Sequence, residues 1–220
     1  MSLVKFEQVS INRNKKIIIE NLSLELDKGS ILAIAGRSGI GKSTVLESFV
    51  NKKLIKSGKI LAPNTISFMP QSIDEKEVGL SVIELITLSK SSKGFFIKKN
   101  EYSLAQKVLK ELNLEEKKNK LLAQLSGGEL QRFSIARAIY QNYNLFILDE
   151  PTAGADIKTS LEIKEIISKY AKSENKTIIY STHDLNLIKG ADYILYIKAN
   201  GEFIYGKNSK EMLEKLYDGN

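Results

Sequence analysis

Short apolar runs separated by turns dominate the first part of the chain. Residues 3–35 contain such runs, with turns at 12–16 and 27–29, which favours an antiparallel sheet. The runs at 17–19 and 22–26 are predicted as two separate strands. The segment 30–35 is almost uniformly apolar, as is typical of a buried strand. The chain is therefore expected to begin with an antiparallel sheet that leads into a buried central strand.

The pattern becomes helical between residues 72 and 123. A Ser81 and Glu84 pair has the spacing of a capping box, which predicts a helix starting after Ser81. A second helix is predicted over 103–112, and a loop around 94–96 separates the two. Helical periodicity predicts that one side of the second helix is apolar. That side comprises Leu104, Val108, Leu109 and Leu112.

Strands and helices alternate in the rest of the chain. Short strands are predicted at 57–61 and 65–69, and a helix follows residues 126–128. Further strands are predicted at 145–148, 177–181, 193–197 and 202–205, with helices at 157–174, 185–189 and 209–216. Strands separated by helices favour a parallel α/β sheet.

Composition narrows the function classes without selecting one. The 220 residues suit a single domain, and the absence of cysteine excludes disulfides and thiolate chemistry. A net charge of +7 would favour an anionic partner, but lysine-rich solubilisation is the preferred interpretation. No basic stripe is interleaved with aromatic residues, so no nucleic-acid partner is expected.

The chain is also not expected to cross a membrane by itself. No apolar run approaches the roughly 18 residues that a spanning helix needs. The first residues lack the apolar segment of a signal peptide. Any role at a membrane would therefore need a separate partner.

The segment 36–43 carries the most informative chemistry. It reads GRSGIGKS and fits the phosphate-loop pattern G-x-x-x-x-G-K-[ST], also called Walker A. Glycines let the backbone N–H groups turn toward phosphate oxygens, Lys42 brings a positive charge to the β- and γ-phosphates, and the Ser43 hydroxyl suits Mg²⁺. A chance match on a glycine-rich turn is the alternative, which the preceding strand and following helix disfavour. The predicted nucleotide-binding residues are Gly36, Arg37, Ser38, Gly39, Ile40, Gly41, Lys42, Ser43 and Thr44.

Two acidic residues follow the strand at 145–148. Ligands of open parallel sheets bind beyond the C-terminal ends of strands, so Asp149 is predicted to hold Mg²⁺ beside Ser43. Glu150 is predicted to accept a proton from an attacking water. The alternative is that both acids merely cap the next helix.

A second glycine-led helix start lies at 126–128. Two glycines after Ser126 provide further backbone N–H donors, and the Ser126 hydroxyl is an additional polar group beside them. A turn with a simple N-cap would explain the same residues. The string LSGGE at 125–129 stands twenty residues before the apolar-Asp-Glu-Pro segment, and it follows a phosphate loop. In this arrangement the chain resembles the ATP-binding-cassette (ABC) ATPases over its whole length.

The resemblance implies a fold and an activity. The fold is α/β, a P-loop NTPase core with a parallel sheet, an N-terminal antiparallel β-subdomain and a helical subdomain. A single domain would cover 1–220, with the core and β-subdomain formed by about 1–71 and 124–220 and the helical subdomain by about 72–123. The activity is hydrolysis of ATP with Mg²⁺. The family's roles fall on Gln71 for Mg²⁺ and the attacking water, on Asp156 as the D-loop aspartate, and on His183 as the switch histidine. His183 is the only histidine of the chain.

The resemblance also implies partners. Two such chains pair head to tail around two ATP molecules, so that the phosphate loop of one faces Ser126, Gly127, Gly128 and Glu129 of the other. Transmembrane permease subunits are expected, a solute-binding protein is a further candidate, and the chain would lie peripherally at the cytoplasmic face of the cell membrane. The helical segment is similar to that of metal and metal-chelate importers, which favours import of a small solute.

Two other functions stay open. One is an ATPase for export or lipoprotein release. Its catalytic residues would be the same as those of an importer. The other is a non-transport ABC protein acting on nucleic acid or ribosomes. Those proteins usually carry two cassettes or a long coiled-coil insertion, and this sequence has neither.

Two positions depart from the family pattern. The first turn, at 11–14, lacks the aromatic residue that stacks on adenine, and Arg13 is the candidate that would stack its guanidinium there instead. Gly154 and Ala155 precede Asp156 where many members have Ala-Leu, which predicts a weaker apolar contact between the paired chains.

Overall fold

The computed structural model describes residues 2–71, 79–90 and 99–218. The strands in these residues are β1 (Ser2–Arg13), β2 (Lys16–Asp27), β3 (Ile31–Gly36), β4 (Ile55–Leu61), β5 (Ser67–Met69), β6 (Leu145–Leu148), β7 (Thr177–Thr182), β8 (Tyr193–Ile197) and β9 (Phe203–Lys207). The α-helices in them are α1 (Lys42–Glu47), α2 (Val82–Leu88), α3 (Lys99–Glu111), α4 (Gly127–Gln141), α5 (Ile157–Ser173), α6 (Leu185–Gly190) and α7 (Lys210–Asp218). None of these helices is both long and apolar enough to traverse a bilayer.

The larger sheet is mainly parallel and has the order β5-β6-β7-β3-β8-β9. The five strands β5, β6, β7, β3 and β8 pair in parallel in this order. Parallel pairs need long crossover connections, and helical segments provide most of them here. Strand β9 pairs antiparallel with β8, as the short connection between them requires. The predicted α/β class with a parallel sheet is confirmed, with one antiparallel strand at the edge.

The smaller sheet is antiparallel and has the order β2-β1-β4. The turn between β1 and β2 is at Asn14 and Lys15, both in the left-handed region. The prediction of two separate strands at 17–19 and 22–26 is wrong, since one strand covers both runs. Asn21 has a φ of 54° within that strand, where the pairing with β1 shifts its register, so a bulge rather than a break interrupts the apolar pattern.

The helical segment contains α2 and α3. The predicted capping box is present at the start of α2. Ser81 N–H donates to Glu84 Oε2 at 2.8 Å, and the Ser81 hydroxyl also donates to that oxygen at 2.6 Å. Leu104 does not belong to the buried side of α3, since it is 42% exposed and Ala105 is buried instead. The predicted loop at 94–96 lies outside the described residues, and the subdomain boundaries at 72 and 123 stay a prediction.

Helix α1 lies between the two sheets. The hydrophobic cluster around it joins buried residues of β1 and β2 with one face of the parallel sheet. Phe6 of β1 contacts Phe49, just beyond α1, edge to face with ring centroids 5.3 Å apart. A second cluster packs helices α2 to α5 on the other face. The start of α1 is thereby fixed against the C-terminal end of β3.

Candidate functional site

The C-terminal ends of three neighbouring strands form the floor of the candidate site. Strands β6, β7 and β3 are consecutive in the parallel sheet and end at Leu148, Thr182 and Gly36. The predicted phosphate loop follows β3, the two acidic residues follow β6, and the histidine follows β7. This edge is where open α/β sheets bind their ligands.

The loop between β3 and α1 needs glycine at both of its ends. Gly36 has a φ of 147°, and a Cβ there would lie 2.6 Å from the carbonyl oxygen of Ile197. Gly41 has a φ of 119°, and its Cβ would lie 2.3 Å from Ile18 Cγ2 of the antiparallel sheet. Any side chain at either position would therefore strain the loop or displace it.

Lys42 is held inside this loop. Its side chain is 5% exposed, and Nζ donates to the carbonyl oxygens of Gly36 at 3.1 Å and Arg37 at 3.3 Å. Nζ also forms an ion pair with Glu150 Oε1 at 3.2 Å. The ammonium group thus sits between the loop backbone and the second acidic residue.

Asp149 lies beside Ser43. The Ser43 hydroxyl donates to Asp149 Oδ1 at 3.1 Å, so the structure brings together two of the three predicted Mg²⁺ ligands. Asp149 is 5% exposed, and its backbone N–H donates to the carbonyl oxygen of Met69 in β5. A hydroxyl and a carboxylate are hard oxygen ligands, so this donor pair fits Mg²⁺.

Glu150 contacts the lysine of the phosphate loop and the histidine after β7. Its Oε2 lies 2.9 Å from His183 Nδ1, while Oε1 pairs with Lys42. The Glu150 side chain is 10% exposed and that of His183 is 71% exposed, so the pair lies where the site opens to solvent. Glu150 has a φ of 48°, a left-handed backbone that is unusual for a residue with a side chain.

Ser181 is the functional candidate that the motifs did not reveal. Its side chain is fully buried in β7, where Oγ donates to Asp149 Oδ1 at 2.5 Å and accepts a hydrogen bond from Glu150 N–H at 2.8 Å. The only available signal was its position two residues before His183, on the strand next to β6. Sequence reasoning could not tell which way its hydroxyl points.

Gln71 and Arg13 are placed by two other elements, β5 and β1. Gln71 is exposed and follows the end of β5 by two residues, at the same edge of the sheet. Arg13 ends β1, and its Nη1 donates to Glu47 Oε2 at 2.9 Å and to Thr44 Oγ1 at 3.3 Å. The guanidinium is therefore anchored over α1, next to the phosphate loop.

The other predicted residues form a second group at the starts of α4 and α5. Ser126 caps α4 in a reciprocal capping box, since its N–H donates to Glu129 Oε2 at 2.8 Å and its Oγ accepts from Glu129 N–H at 3.4 Å. The Ser126 N–H and the nearby Lys117, 3.0 Å from Glu129 Oε1, lower the pKa of Glu129 to about 2. Glu129 is consequently ionised at neutral pH and fixed to the helix end.

Asp156 lies in the neighbouring segment. Its carboxylate caps α5 by accepting a hydrogen bond from Thr159 N–H at 2.8 Å, which lowers the pKa of Asp156. Gln131 Nε2 donates to the carbonyl oxygen of Ala153 at 3.0 Å and so ties α4 to this segment. A Cβ on Gly127 would lie 4.0 Å from the carbonyl oxygen of Gly154, which shows how closely the two segments approach.

Comparison with known proteins gives a family match over most of the core. The ABC transporter family model matches residues 19–153. A probable ABC transporter ATP-binding protein of Mycoplasma genitalium is 30% identical, covering 98% of both chains. A zinc import ATP-binding protein of Haemophilus influenzae is 30% identical over 84% of this chain and 68% of its own. A lipoprotein-releasing system ATP-binding protein of Ehrlichia chaffeensis is 33% identical over 86% of this chain and 87% of its own.

Solved structures agree with these matches. An inward-facing ABC transporter assigned to the metal-chelate type superposes with a TM-score of 0.87 at 28% identity, covering 99% of this chain and 89% of that one. A dimeric ATP-binding cassette in a post-hydrolysis state, with ADP and phosphate bound, superposes with a TM-score of 0.80 at 27% identity, covering 93% and 98%. The likeness extends over nearly the whole of this chain.

Proposed function

This chain belongs to the ABC transporter family as an ATPase subunit, and we propose on that basis that it powers import of a small solute through separate membrane subunits. One observation carries the mechanism. Glu150 pairs with both Lys42 and His183 at the C-terminal edge of the parallel sheet, and the Ser181 hydroxyl joins Asp149 to Glu150. A phosphate-binding lysine, a metal-binding acid and a base with an orienting partner are the parts that phosphoryl transfer to water requires.

Each residue has a distinct task in the proposed mechanism. Lys42 exchanges its contact with Glu150 for the β- and γ-phosphate oxygens of ATP, within the loop of residues 36–44. Glu150, released from that ion pair, accepts a proton from the attacking water, and His183 keeps the carboxylate oriented from its other oxygen. Gln71 orients the same water from the neighbouring strand end. Ser43, Asp149 and Gln71 would hold Mg²⁺, which when bound neutralises the charge of the phosphates.

The second group of residues is proposed to act on another copy of the chain. Ser126, Gly127, Gly128 and Asp156 are linked to one another through α4 and α5, whereas the contacts of Lys42 are with Glu150 and the loop backbone. In a head-to-tail homodimer, the start of α4 in one copy would close over the phosphates bound by the other. Backbone donors and the positive end of a fifteen-residue helix suit that role. The dimeric state of a similar solved cassette supports the pairing of two copies.

Arg13 is proposed to contact the adenine base. Its guanidinium is held by Glu47 and Thr44 at the end of the phosphate loop, and its side chain is 46% exposed. A guanidinium anchored at one edge can still offer its flat face to a base. We expect Arg13→Ala to weaken ATP binding by about twofold to fivefold, a loss of roughly 0.5–1 kcal/mol typical of an exposed stacking contact.

The measurement for Arg13 is the dissociation constant of ATP, compared with that of inorganic triphosphate. Glu47→Ala serves as the matched control, because it removes the carboxylate that anchors Arg13 and keeps the guanidinium. Unchanged ATP affinity in Arg13→Ala would contradict the base contact. Equal weakening for ATP and triphosphate would instead assign Arg13 to the phosphates.

Import of a metal ion or metal chelate is the proposed direction and cargo class. The metal-chelate type transporter and the zinc import protein support it. The lipoprotein-releasing relative favours release from the membrane as the second candidate. Either function places the chain at the cytoplasmic face of the membrane, bound to permease subunits, and import adds a solute-binding protein.

Affinity purification from native membranes, followed by reconstitution with the co-purifying membrane protein, distinguishes these functions. We expect vesicles that expose this ATPase outward, where ATP is added, to export zinc or a zinc chelate from their lumen, since that lumen corresponds to the outside of the cell. Vesicles lacking ATP are the control. Release of a lipoprotein from the bilayer with no metal transport would favour the second candidate.

A further inference from the structure

One buried hydroxyl, that of Ser181, holds both acidic residues of the site. Ser181 Oγ donates to Asp149 Oδ1 at 2.5 Å and accepts from Glu150 N–H at 2.8 Å. Ser181 has no exposed surface, and Asp149 and Glu150 are 5% and 8% exposed. A hydroxyl can donate once and accept at the same time, so both of these roles are used together.

The contact with Glu150 stabilises an unusual backbone. Glu150 lies beyond the end of β6 and has a φ of 48°, so its peptide N–H needs an acceptor outside the strand ladder. Ser181 Oγ supplies that acceptor, and Ala153 N–H donates to the Glu150 carbonyl oxygen at 3.0 Å on the other side of the turn. Without the hydroxyl, the N–H would remain buried and unpaired, which favours a different turn.

The contact with Asp149 fixes the carboxylate. Ser43 donates to the same Oδ1, but at the longer distance of 3.1 Å, and Ser43 is itself a proposed Mg²⁺ ligand. Ser181 is therefore the donor that can stay on Asp149 when Ser43 changes partner. His183 directly follows β7, and its Nδ1 contacts Glu150 Oε2. The end of one strand therefore holds Glu150 by its main chain and by its side chain.

We propose that Ser181 is a positioning residue, which sets the orientation of the Asp149 carboxylate and the direction in which Glu150 points. The proposal rests on the proposed function, because it concerns the site at which ATP would be cleaved. It assigns no direct contact with ATP to Ser181. Its effect is transmitted through the two acidic residues alone.

Two variants of equal shape test the proposal. Ser181→Thr keeps a hydroxyl on Cβ, whereas Ser181→Val replaces that hydroxyl with a methyl group. We expect Ser181→Val to lower kcat for ATP by about tenfold to a hundredfold, as expected when a reacting group is misplaced by roughly 1 Å. The KM for ATP should stay within about threefold, because the phosphate loop and Lys42 are intact. Ser181→Thr should retain most of the wild-type kcat.

A second readout separates positioning from folding. Binding of a fluorescent ATP analogue is titrated with Mg²⁺, and Ser181→Val should need more Mg²⁺ for half-maximal binding while its melting temperature matches that of Ser181→Thr. If the larger side chain prevents folding of either variant, Ser181→Ala is compared with the wild-type protein instead.

Equal kcat for the hydroxyl-bearing and hydroxyl-free variants would overturn the positioning role. The proposal would also be overturned if kcat falls only in variants whose melting temperature is lowered and the Mg²⁺ concentration for half-maximal binding is unchanged. A wild-type protein without ATPase activity would instead contradict the proposed function. The two failures are therefore distinguishable.

Discussion

Lys42→Ala is expected to reduce ATP turnover by about a hundredfold or more, the scale found when a charged donor to a reacting group is removed. Lys42 Nζ is held by the carbonyl oxygens of Gly36 and Arg37, so its charge is positioned before any phosphate arrives. The measurement is phosphate release at saturating ATP, together with the dissociation constant for ATP. Turnover at the wild-type rate would contradict the assignment of the phosphate loop.

The Lys42 variant needs a control for folding. Lys42 and Glu150 are a buried ion pair, and removing one partner of such a pair can destabilise a protein by about 3–5 kcal/mol. Lys42→Ala/Glu150→Gln removes the unpaired charge and should recover part of the lost stability without recovering turnover. Lys172→Ala, at an exposed position in the last turn of α5, is the matched lysine substitution and should leave turnover unchanged. Because Glu150→Gln alone slows cleavage, the double variant is judged by its dissociation constant for ATP. Binding restored to the wild-type level would assign Lys42 a structural role only.

The sequence predicted most of the fold because the decisive elements have strong local patterns. Strands β3 and β6 are almost entirely apolar, and every residue of β6 and β7 is buried, which is typical of the interior of a parallel sheet. The capping of α2 by Ser81 and Glu84 is equally local, since the two hydrogen bonds that Ser81 donates to Glu84 join residues three apart. Such features need no knowledge of the rest of the chain.

The errors arose where distant packing decides the outcome. Asn21 reads as a break between two apolar runs, but the pairing of β2 with β1 continues through it as a bulge. Leu104 has the spacing of a core residue, yet it is 42% exposed because α3 turns Ala105 inward. Periodicity indicates that a helix has an apolar side, and the neighbours of the helix determine which residues that side contains.

The candidate site was predictable as a set of motifs but not as a geometry. Glu150, His183 and Lys42 could be named from their positions after predicted strands, whereas their mutual ion pairs depend on the order of the strands in the sheet. Ser181 is 31 residues from Glu150 along the chain, and it becomes a neighbour only because β7 pairs with β6. The anchoring of Arg13 by Glu47 likewise joins two elements that no motif connects.

Glu150→Gln is expected to slow ATP cleavage by about 10²- to 10⁴-fold while ATP binding is retained. Glutamine has nearly the shape of glutamate, so the left-handed turn and the Ser181 hydrogen bond to residue 150 can persist. It cannot accept the proton of an attacking water, because an amide is not a base at neutral pH. ATP would consequently remain bound, and two copies of the variant should stay associated around it.

Size-exclusion chromatography with light scattering, with and without ATP, measures this association. A protein that remains monomeric with saturating ATP would contradict the proposed homodimer. Adding Ser126→Arg to Glu150→Gln should abolish the dimer, since a long cation at the start of α4 would block the approach of a second phosphate loop. Ser126→Ala is the matched control, because it removes the hydroxyl that accepts from Glu129 N–H without adding bulk. If the arginine and alanine versions dimerise equally, the start of α4 is not the surface that closes over the nucleotide of the partner.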